Sequence, residues 1–505
     1  MKQLKTKASF PLILSGILTF VGVLKGVFVF GWVCFLPLFI ATFQQSARQA
    51  FRSGSIFGLS LAVVSFYWMI PGAERFTGNS VLYGIAAFLI STVFLALWCG
   101  LVLSLIGFLR HQNDSVISFL SNAAMVAAIF CVAEFLLSLI SQGMPWFDFH
   151  AGNAIADNLW AIQPAAFSGV YGLTFIVVFV NYISAVIIVK KRWKYAYLPF
   201  VFLLGYLFGG YLLLEWFNAQ LKPGKSFTTN ILCENILPDI KWNDENGNQL
   251  VEQLLDLNKK SLLDKADMNL WSESTVPWTY RADDDFVKEI LRSTKPAGVT
   301  TVMGINSDHA ENEVYNSVYC ISPEGTVIGR YDKHYLLSFI EQPVGAAIIP
   351  FLSSVGFIIK PGEKYDVPVQ TPFGKAGIIV CNEATVPAAA SGMANEGAQF
   401  LFNLSNDGWF NDTYITDLHF INARIRAVET RKDICINSNN GFSGLVKATG
   451  VVAVKERNTE SFVKKVGVEP NNEKTFFMSQ PHGFLYACGL LLVMFTVLKF
   501  RRKGV

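Results

Sequence analysis

Ala376-Gly-Ile-Ile-Val-Cys381-Asn-Glu383 is the stretch on which the reading of the water-soluble part of this 505-residue chain turns. Ala376–Val380 carries no polar side chain, so it reads as a strand covered on both faces. It runs straight into a thiol and a carboxyl group. Working outward, strands are expected at Thr229–Cys233, from Met268 to Glu273, at Val299–Ile305, Tyr315–Ile321 and Val327–Tyr331, and at Phe400–Asn403 and Ile434–Asn437. Glu324-Gly325 marks a hairpin turn. Helical patterns fall between them, near Leu250–Leu263, Asp284–Arg292, Pro387–Glu396 and Thr416–Thr430. Alternating helices and wholly apolar strands predict sheets covered by helices.

Two further polar residues stand where such strands end. Glu273 closes Asn-Leu-Trp-Ser, and Lys333 follows Ile-Gly-Arg-Tyr-Asp. Singly, a glutamate is usually solvated and a lysine usually lies on a surface. Together, Glu273, Lys333 and Cys381 supply the parts of acyl transfer: a base, a fixed cation for an oxyanion, and a soft nucleophile. Glu341 and Glu383 lie close by in sequence and are expected to support Lys333 or backbone donors. The eight cysteines show no CxxC pair and no regular spacing, so neither a zinc site nor a dense disulfide framework is expected. No phosphate loop is present either, and the reading calls for no cofactor and no metal.

The rest of the chain is membrane-like. Hydrophobic residues make up 52% and charged residues only 16%, where a soluble domain has roughly 25% charged; the mean hydropathy is +0.38. A net charge of +3 suggests no nucleic-acid partner. A spanning helix needs about 20 apolar residues. Candidates lie near 9–24, 26–43, 54–71, 81–109, 117–141, 168–189, 195–216 and 482–499. The chain therefore reads as a bundle of seven helices over 1–217, a soluble domain over 218–480, and a last span with a basic tail over 481–505. Lys2, Lys5, Lys7, Arg48, Arg52, Arg110, Lys190–Lys194 and Lys499–Lys503 fall on one side of these spans, and only Lys25 and Arg75 on the other. The basic side is cytoplasmic by the positive-inside rule, so the soluble domain is expected to be exported. Glu134 is an intramembrane carboxyl, a functional candidate with no partner visible in the sequence. Residues 343–359 carry no charge and include Gly345, Pro350 and Gly356; a lid resting on lipid is expected there, with ordinary core as the competing reading.

The order Glu273, Lys333, Cys381 resembles the carbon–nitrogen hydrolase (nitrilase) superfamily. Seven spans, an exported domain and a final span resemble, over essentially the whole chain, the apolipoprotein N-acyltransferase family. The family's Trp-Pro-Glu strand is Trp271-Ser272-Glu273 here, with serine for proline. Its Tyr-Asp-Lys motif is Tyr331-Asp332-Lys333, with Glu341 eight residues on. Its Cys-Tyr-Glu is Cys381-Asn382-Glu383, with asparagine for tyrosine. Asn403-Leu-Ser-Asn-Asp-Gly-Trp409-Phe, Ala423-Arg-Ile-Arg-Ala-Val-Glu429, Asn439-Asn-Gly-Phe-Ser443, Gly143-Met-Pro-Trp146 and Gly169-Val-Tyr-Gly172 also match. The resemblance implies a polytopic α-helical bundle of about eight spans carrying an exported nitrilase-like αββα sandwich. It implies catalysis by Glu273, Lys333 and Cys381, support from Glu341, Asn382 and Glu383, and substrate-side roles for Trp242 and Trp409. The implied partners are a phospholipid acyl donor and a diacylglyceryl lipoprotein acceptor, in the bacterial inner membrane with the catalytic domain on the periplasmic side. No nucleic acid is expected, and the chain is expected to act as a monomer. The alternatives are a membrane-tethered amidase acting on a small nitrogen compound and a non-catalytic scaffold of the same fold. The first does not need eight spans. The second does not need all three of Glu273, Lys333 and Cys381.

Overall fold

The computed structural model describes the chain except residues 1, 73–80, 111–114, 223, 239, 241, 339, 343–357, 365, 411, 458 and 503–505, and the side chains of 2–8 and 501–502. The expected lid over 343–359, with Gly345, Pro350 and Gly356, therefore lies outside the described residues but for Ile358 and Ile359.

Strands pair as the alternating pattern requires. One sheet holds β1 (Phe227–Cys233), β2 (Met268–Leu270), β3 (Thr300–Gly304), β6 (Ser317–Ile321), β7 (Val327–Asp332) and β15 (Phe462–Val468), in the order β15-β1-β2-β3-β6-β7. The second holds β9 (Val369–Thr371), β10 (Gly374–Val380), β11 (Phe400–Asn406), β12 (Ile434–Asn439), β13 (Phe442–Val446) and β14 (Val452–Arg457), in the order β14-β13-β12-β11-β10-β9. A small third sheet joins β4 (Ser307–Ala310), β5 (Glu313–Tyr315) and β8 (Ile358–Lys360). Successive strand residues face opposite sides. Ile231, Leu270, Val302 and Cys320 accordingly enter a core shared with Ile378, Val380, Phe402 and Ile436 of the second sheet. Their neighbours Leu232, Trp271, Met303 and Ile321 enter a different core, under helices Gly247–Leu263 and Asp285–Thr294. The second sheet is covered by helices Pro387–Asn395 and Tyr414–Thr430, which send Met393, Ala423 and Ala427 inward. The result is the helix–sheet–sheet–helix sandwich expected from the sequence.

Among the described residues, five helices are long and apolar enough to cross a membrane: Val81–Leu109, Val116–Ile140, Ala165–Val189, Trp193–Gln220 and Gly483–Phe500. Ser9–Leu24 and Phe28–Thr42 are shorter apolar stretches. The expected second span is broken into Phe28–Gly31 and Leu36–Thr42. Asn181 holds the break, donating to the Gly31 carbonyl at 2.9 Å and accepting from the Phe35 N–H at 3.1 Å. Helix Ala47–Phe66 lies over the expected span near 54–71 and is not among these five. It packs on Val81–Leu109 through small residues: a Cβ on Gly54 would meet the Cys99 carbonyl at 2.4 Å, and one on Gly58 the Leu95 carbonyl at 2.8 Å. Glu134 does have partners. Its carboxylate accepts from the Ala151 N–H at 2.9 Å and the Thr174 hydroxyl at 2.6 Å. Both are loop and neighbouring-helix groups that no spacing in the sequence announces.

Helix Tyr414–Thr430 joins the two parts. Its Ile415, Leu418, Ile425 and Val428 enter the core of the apolar bundle, while Phe420, Ala423 and Ala427 enter the sandwich. Polar side chains lock the seam. Tyr414 donates to the Trp146 carbonyl at 2.9 Å, Asn422 to Asp148 at 2.6 Å, and the Val170 N–H to Glu429 at 2.9 Å. Arg424 pairs with Asp157 at 2.8 Å and Lys25 with Asp417 at 2.7 Å. A catalytic group carried on this helix is thus fixed to both parts.

Candidate active site

Strand β10 ends where the chain needs a sharp turn. Cys381 takes φ +53°, a left-handed conformation that is uncommon and costly for a non-glycine residue. The turn is held by Glu383, whose carboxylate accepts from the Val380 N–H at 2.7 Å, the Tyr331 hydroxyl at 2.8 Å and the His334 and Tyr335 N–H groups at 2.8 and 3.1 Å. Asn382 adds a bond from its amide to the Tyr335 carbonyl at 3.0 Å. Both expected supporting residues therefore tie the cysteine turn to the loop that bears Lys333. Burial pushes the Glu383 carboxyl up, and the backbone donors oppose that shift.

Lys333 is 1% exposed and sits between two carboxylates, Glu273 at 3.0 Å and Glu341 at 2.9 Å. Burial works against its charge, but Glu273, Glu341 and Cys381 outweigh it and hold the ammonium well above the usual lysine range. Asn316, which sequence reading missed, bridges the same two carboxylates at 2.8 and 2.7 Å. The second oxygen of Glu273 accepts from the Asn406 N–H at 2.8 Å, and Glu341 accepts from the Leu337 N–H at 2.6 Å. The Cys381 thiol is pushed well above its ordinary value, by burial first and then by the Glu273 charge; Lys333 opposes the shift. The resting sulfur is therefore a thiol that needs a base before it can attack. Glu273, Lys333 and Cys381, picked at three strand ends, are brought together with Glu341 as their neighbour.

A second group flanks the sulfur. A ring nitrogen of His419, a carboxylate oxygen of Asp407 and Cys381 Sγ all lie within 4.8 Å of one another. His419 Nδ1 is 2.8 Å from Asp407 Oδ1, which also accepts from Ser405 at 2.7 Å. Asp407 lay inside a motif already noted, whereas no pattern in the sequence singles out His419. Trp242 and Trp409 are not in this cluster. Trp242 is half-buried, edge-on to Trp278 at 5.6 Å, and Trp409 is half-buried against the bundle.

The bundle reaches the site through the loop at Gly143. Its carbonyl accepts from the Ser338 N–H at 2.8 Å, and at φ +81° a Cβ there would meet the Leu336 carbonyl at 2.6 Å. A cavity of about 210 Å³ lies beside this contact, lined among others by Met144, Phe147, Tyr171, Tyr335, Val386 and Pro387. Tyr335 follows Lys333 by two residues, and Val386 and Pro387 follow the cysteine turn.

The serine of Trp271-Ser272-Glu273 also has a partner. Its N–H donates to Glu234 at 3.2 Å, a bond that a proline could not make. Burial pushes Glu234 from the ordinary 4.5 up to about 7. The folded chain then keeps a proton that the unfolded chain releases. The stabilisation from this group is full below about 4.5 and is lost as pH rises through about 7. Glu234→Gln is expected to remove that loss, so its apparent Tm in detergent should exceed the wild type's at pH 8 and match it near pH 4. An equal offset at both values would show that the titration of Glu234 does not matter.

A buried thiol, a carboxylate on a buried lysine and a helix–sheet–sheet–helix sandwich define a carbon–nitrogen hydrolase domain. The family model described as Carbon-nitrogen hydrolase matches residues 233–461. A second, described as Apolipoprotein N-acyltransferase N-terminal domain, matches residues 15–183. Curated relatives called apolipoprotein N-acyltransferase align along most of their length. That of Geobacter metallireducens is 25% identical over 95% of this chain and 92% of its own. Those of Allorhizobium ampelinum and Pasteurella multocida are 27% and 26% identical, over 81% and 90% of this chain and 78% and 88% of theirs. Over most of its length the chain is similar to the apolipoprotein N-acyltransferases.

Proposed function

We propose that this chain moves a fatty acyl group from a phospholipid, through a thioester on Cys381, to the α-amino group of a diacylglyceryl-cysteine lipoprotein. The observation that carries the proposal is the buried Glu273–Lys333–Glu341 cluster, in which the lysine contacts both carboxylates next to the buried Cys381. Glu273 takes the thiol proton as the sulfur attacks the ester carbonyl. The carbonyl oxygen becomes negative beside Lys333, which contributes about 3–4 kcal/mol to the transition state if it acts like other oxyanion donors. Glu273 returns the proton to the departing lysophospholipid oxygen. The lipoprotein amine then attacks the thioester. Glu341, Asn382 and Glu383 hold these groups in place, and Trp242 and Trp409 are assigned to the substrate side. The apolar cavity at the Gly143 loop suits an acyl chain arriving from the bundle. The N-terminal family match over residues 15–183 gives no support to a merely tethered amidase.

The same proposal divides the chain into a bundle (1–217), an exported catalytic domain (218–480) and a terminal span with a basic tail (481–505). It places the enzyme in the inner membrane as a monomer of eight spans, with its active site on the periplasmic side. Asp285→Cys, on the exposed start of a domain helix, should label from outside intact spheroplasts with an impermeant maleimide. Lys191→Cys should label only after permeabilisation. Every native cysteine is buried except Cys99, which is half-buried, so background labelling should be low. Reversed labelling would put the catalytic domain in the cytoplasm and remove the lipoprotein substrate from its reach.

A further inference from the structure

The amine acceptor brings more protons than one carboxylate can handle. An α-amino group has a pKa near 7.7–8.0, so at neutral pH it arrives mostly as an ammonium with three N–H bonds. One of those protons remains in the amide, one must reach the sulfur, and one must leave the site. In the reading given above, Glu273 serves the sulfur. A second acceptor close to Cys381 would let the ammonium form react directly, without first losing its proton to water.

Asp407 and His419 have that position and form. They are 1% and 3% exposed, and an Asp407 carboxylate oxygen and one ring nitrogen of His419 lie within 4.8 Å of the sulfur. The 2.8 Å contact between Nδ1 and Asp407 Oδ1 leaves the other nitrogen as the one able to accept. That nitrogen, Nε2, is buried and makes no hydrogen bond among the described residues. A buried polar atom without a partner calls for an explanation, and a catalytic role is one. Ser405 fixes the same Asp407 oxygen at 2.7 Å, and helix Tyr414–Thr430 clamps His419 between the bundle and the sandwich. Among the described residues, Asp407 and Cys381 lie close to this imidazole, and Phe410 is edge-on to it at 5.9 Å.

We propose that His419, oriented by Asp407, is the general base that deprotonates the incoming lipoprotein amine in the second half-reaction. The inference rests on the acyltransferase reading and assigns a residue to its second step. His419 Nε2 takes one proton from the ammonium. The freed lone pair forms the C–N bond to the thioester carbonyl carbon. The C–S bond breaks and its electron pair stays on Cys381. A second N–H proton reaches that sulfur through Glu273, restoring the thiol, and the imidazolium releases the first proton to water. Ammonium and thioester become amide, thiol and one proton, with charge conserved. His419 touches substrate; Asp407 acts as a positioning residue.

The test separates the half-reactions with His419→Asn, which keeps a donor for Asp407 and deletes Nε2. The variant and the wild type are loaded with phospholipid, freed of donor, and the thioester is followed by intact mass. Loading should proceed at the wild-type rate. Discharge by a diacylglyceryl-cysteine peptide should slow at least about 100-fold, in the range for loss of a general base. Discharge by hydroxylamine, which is uncharged at neutral pH and needs no base, should stay unchanged. Asp407→Asn should show the same split in weaker form, and His419→Gln gives a second variant should the first not fold. Equal slowing of both nucleophiles, slowing of neither, or a failure to load would overturn the assignment. A wild type that never forms the thioester would instead remove the acyltransferase reading on which it stands.

Discussion

Cys381→Ala is expected to yield a protein that folds and carries no acyl group. Alanine keeps the Cβ, so the left-handed backbone at φ +53° is no harder to hold than before. The lost atom is one sulfur, and the turn itself is held by Glu383 and Asn382 rather than by the thiol. Stability should therefore change little. Activity should not survive. Deleting the nucleophile of a serine protease lowers kcat by about 10⁶-fold, and what remains comes from the oxyanion site and binding. Here the residual route would need the lipoprotein amine to attack the phospholipid ester directly. Intact mass after incubation with phospholipid should show an acyl increment on the wild type, removed by hydroxylamine, and none on the variant. Acylation of a lipopeptide by Cys381→Ala at more than about one part in 10⁴ of the wild-type rate would mean that the sulfur is not the nucleophile.

What was legible in the sequence follows from burial. Cys381 and Glu273 could be picked out because each follows a strand run that is apolar or enclosed, whereas Lys333 follows the half-exposed β7 and stands out through Tyr331-Asp332-Lys333. Most of the strands that the sequence does not announce are short or half-exposed, although β13 is neither. Strand β14 alternates half-buried and exposed residues along Val452–Arg457, and β4, β5 and β8 form a three-stranded sheet apart from the sandwich. The sequence predicts a helix near Tyr414–Thr430 but not its role in joining the two parts. It is buried almost all round because it serves two cores at once, so no apolar stripe stands out. His419 was lost inside it for that reason. Asn316 is a lone asparagine between strands, a residue that ordinarily signals a turn. Only the fold shows that its amide spans two carboxylates.

The membrane half shows the same limit from the other side. Hydropathy found the long helices, since composition alone sets them. It read 26–43 as one span because hydropathy does not see a polar residue from a distant helix. Asn181 satisfies the Gly31 carbonyl and the Phe35 N–H that the break releases. Backbone groups left open in an apolar setting need such partners.

Lys333→Met should lose both activity and stability, for separable reasons. Lys333 is the cation between Glu273 and Glu341, at 3.0 and 2.9 Å, and all three are at most 6% exposed. Removing one member of a buried ion cluster leaves uncompensated charge and costs about 3–5 kcal/mol. For a domain of this size that is a fall in apparent Tm on the order of 10 °C. Methionine fills most of the volume, so packing loss should be minor. Glu341→Gln removes one of the two stranded charges while keeping a side chain that the Leu337 N–H can still reach. The double variant Lys333→Met/Glu341→Gln should therefore recover much of the lost Tm. It should not recover the thioester, because no cation then faces the developing oxyanion, a loss of about 10²–10³-fold in rate. The measurements are thermal unfolding in detergent and loading by intact mass on all four members of the cycle. Recovery of thioester formation together with stability would mean that Lys333 only holds the carboxylates apart. A double variant no more stable than Lys333→Met would show that the two carboxylates do not share the lysine's charge, despite their near-equal distances from it.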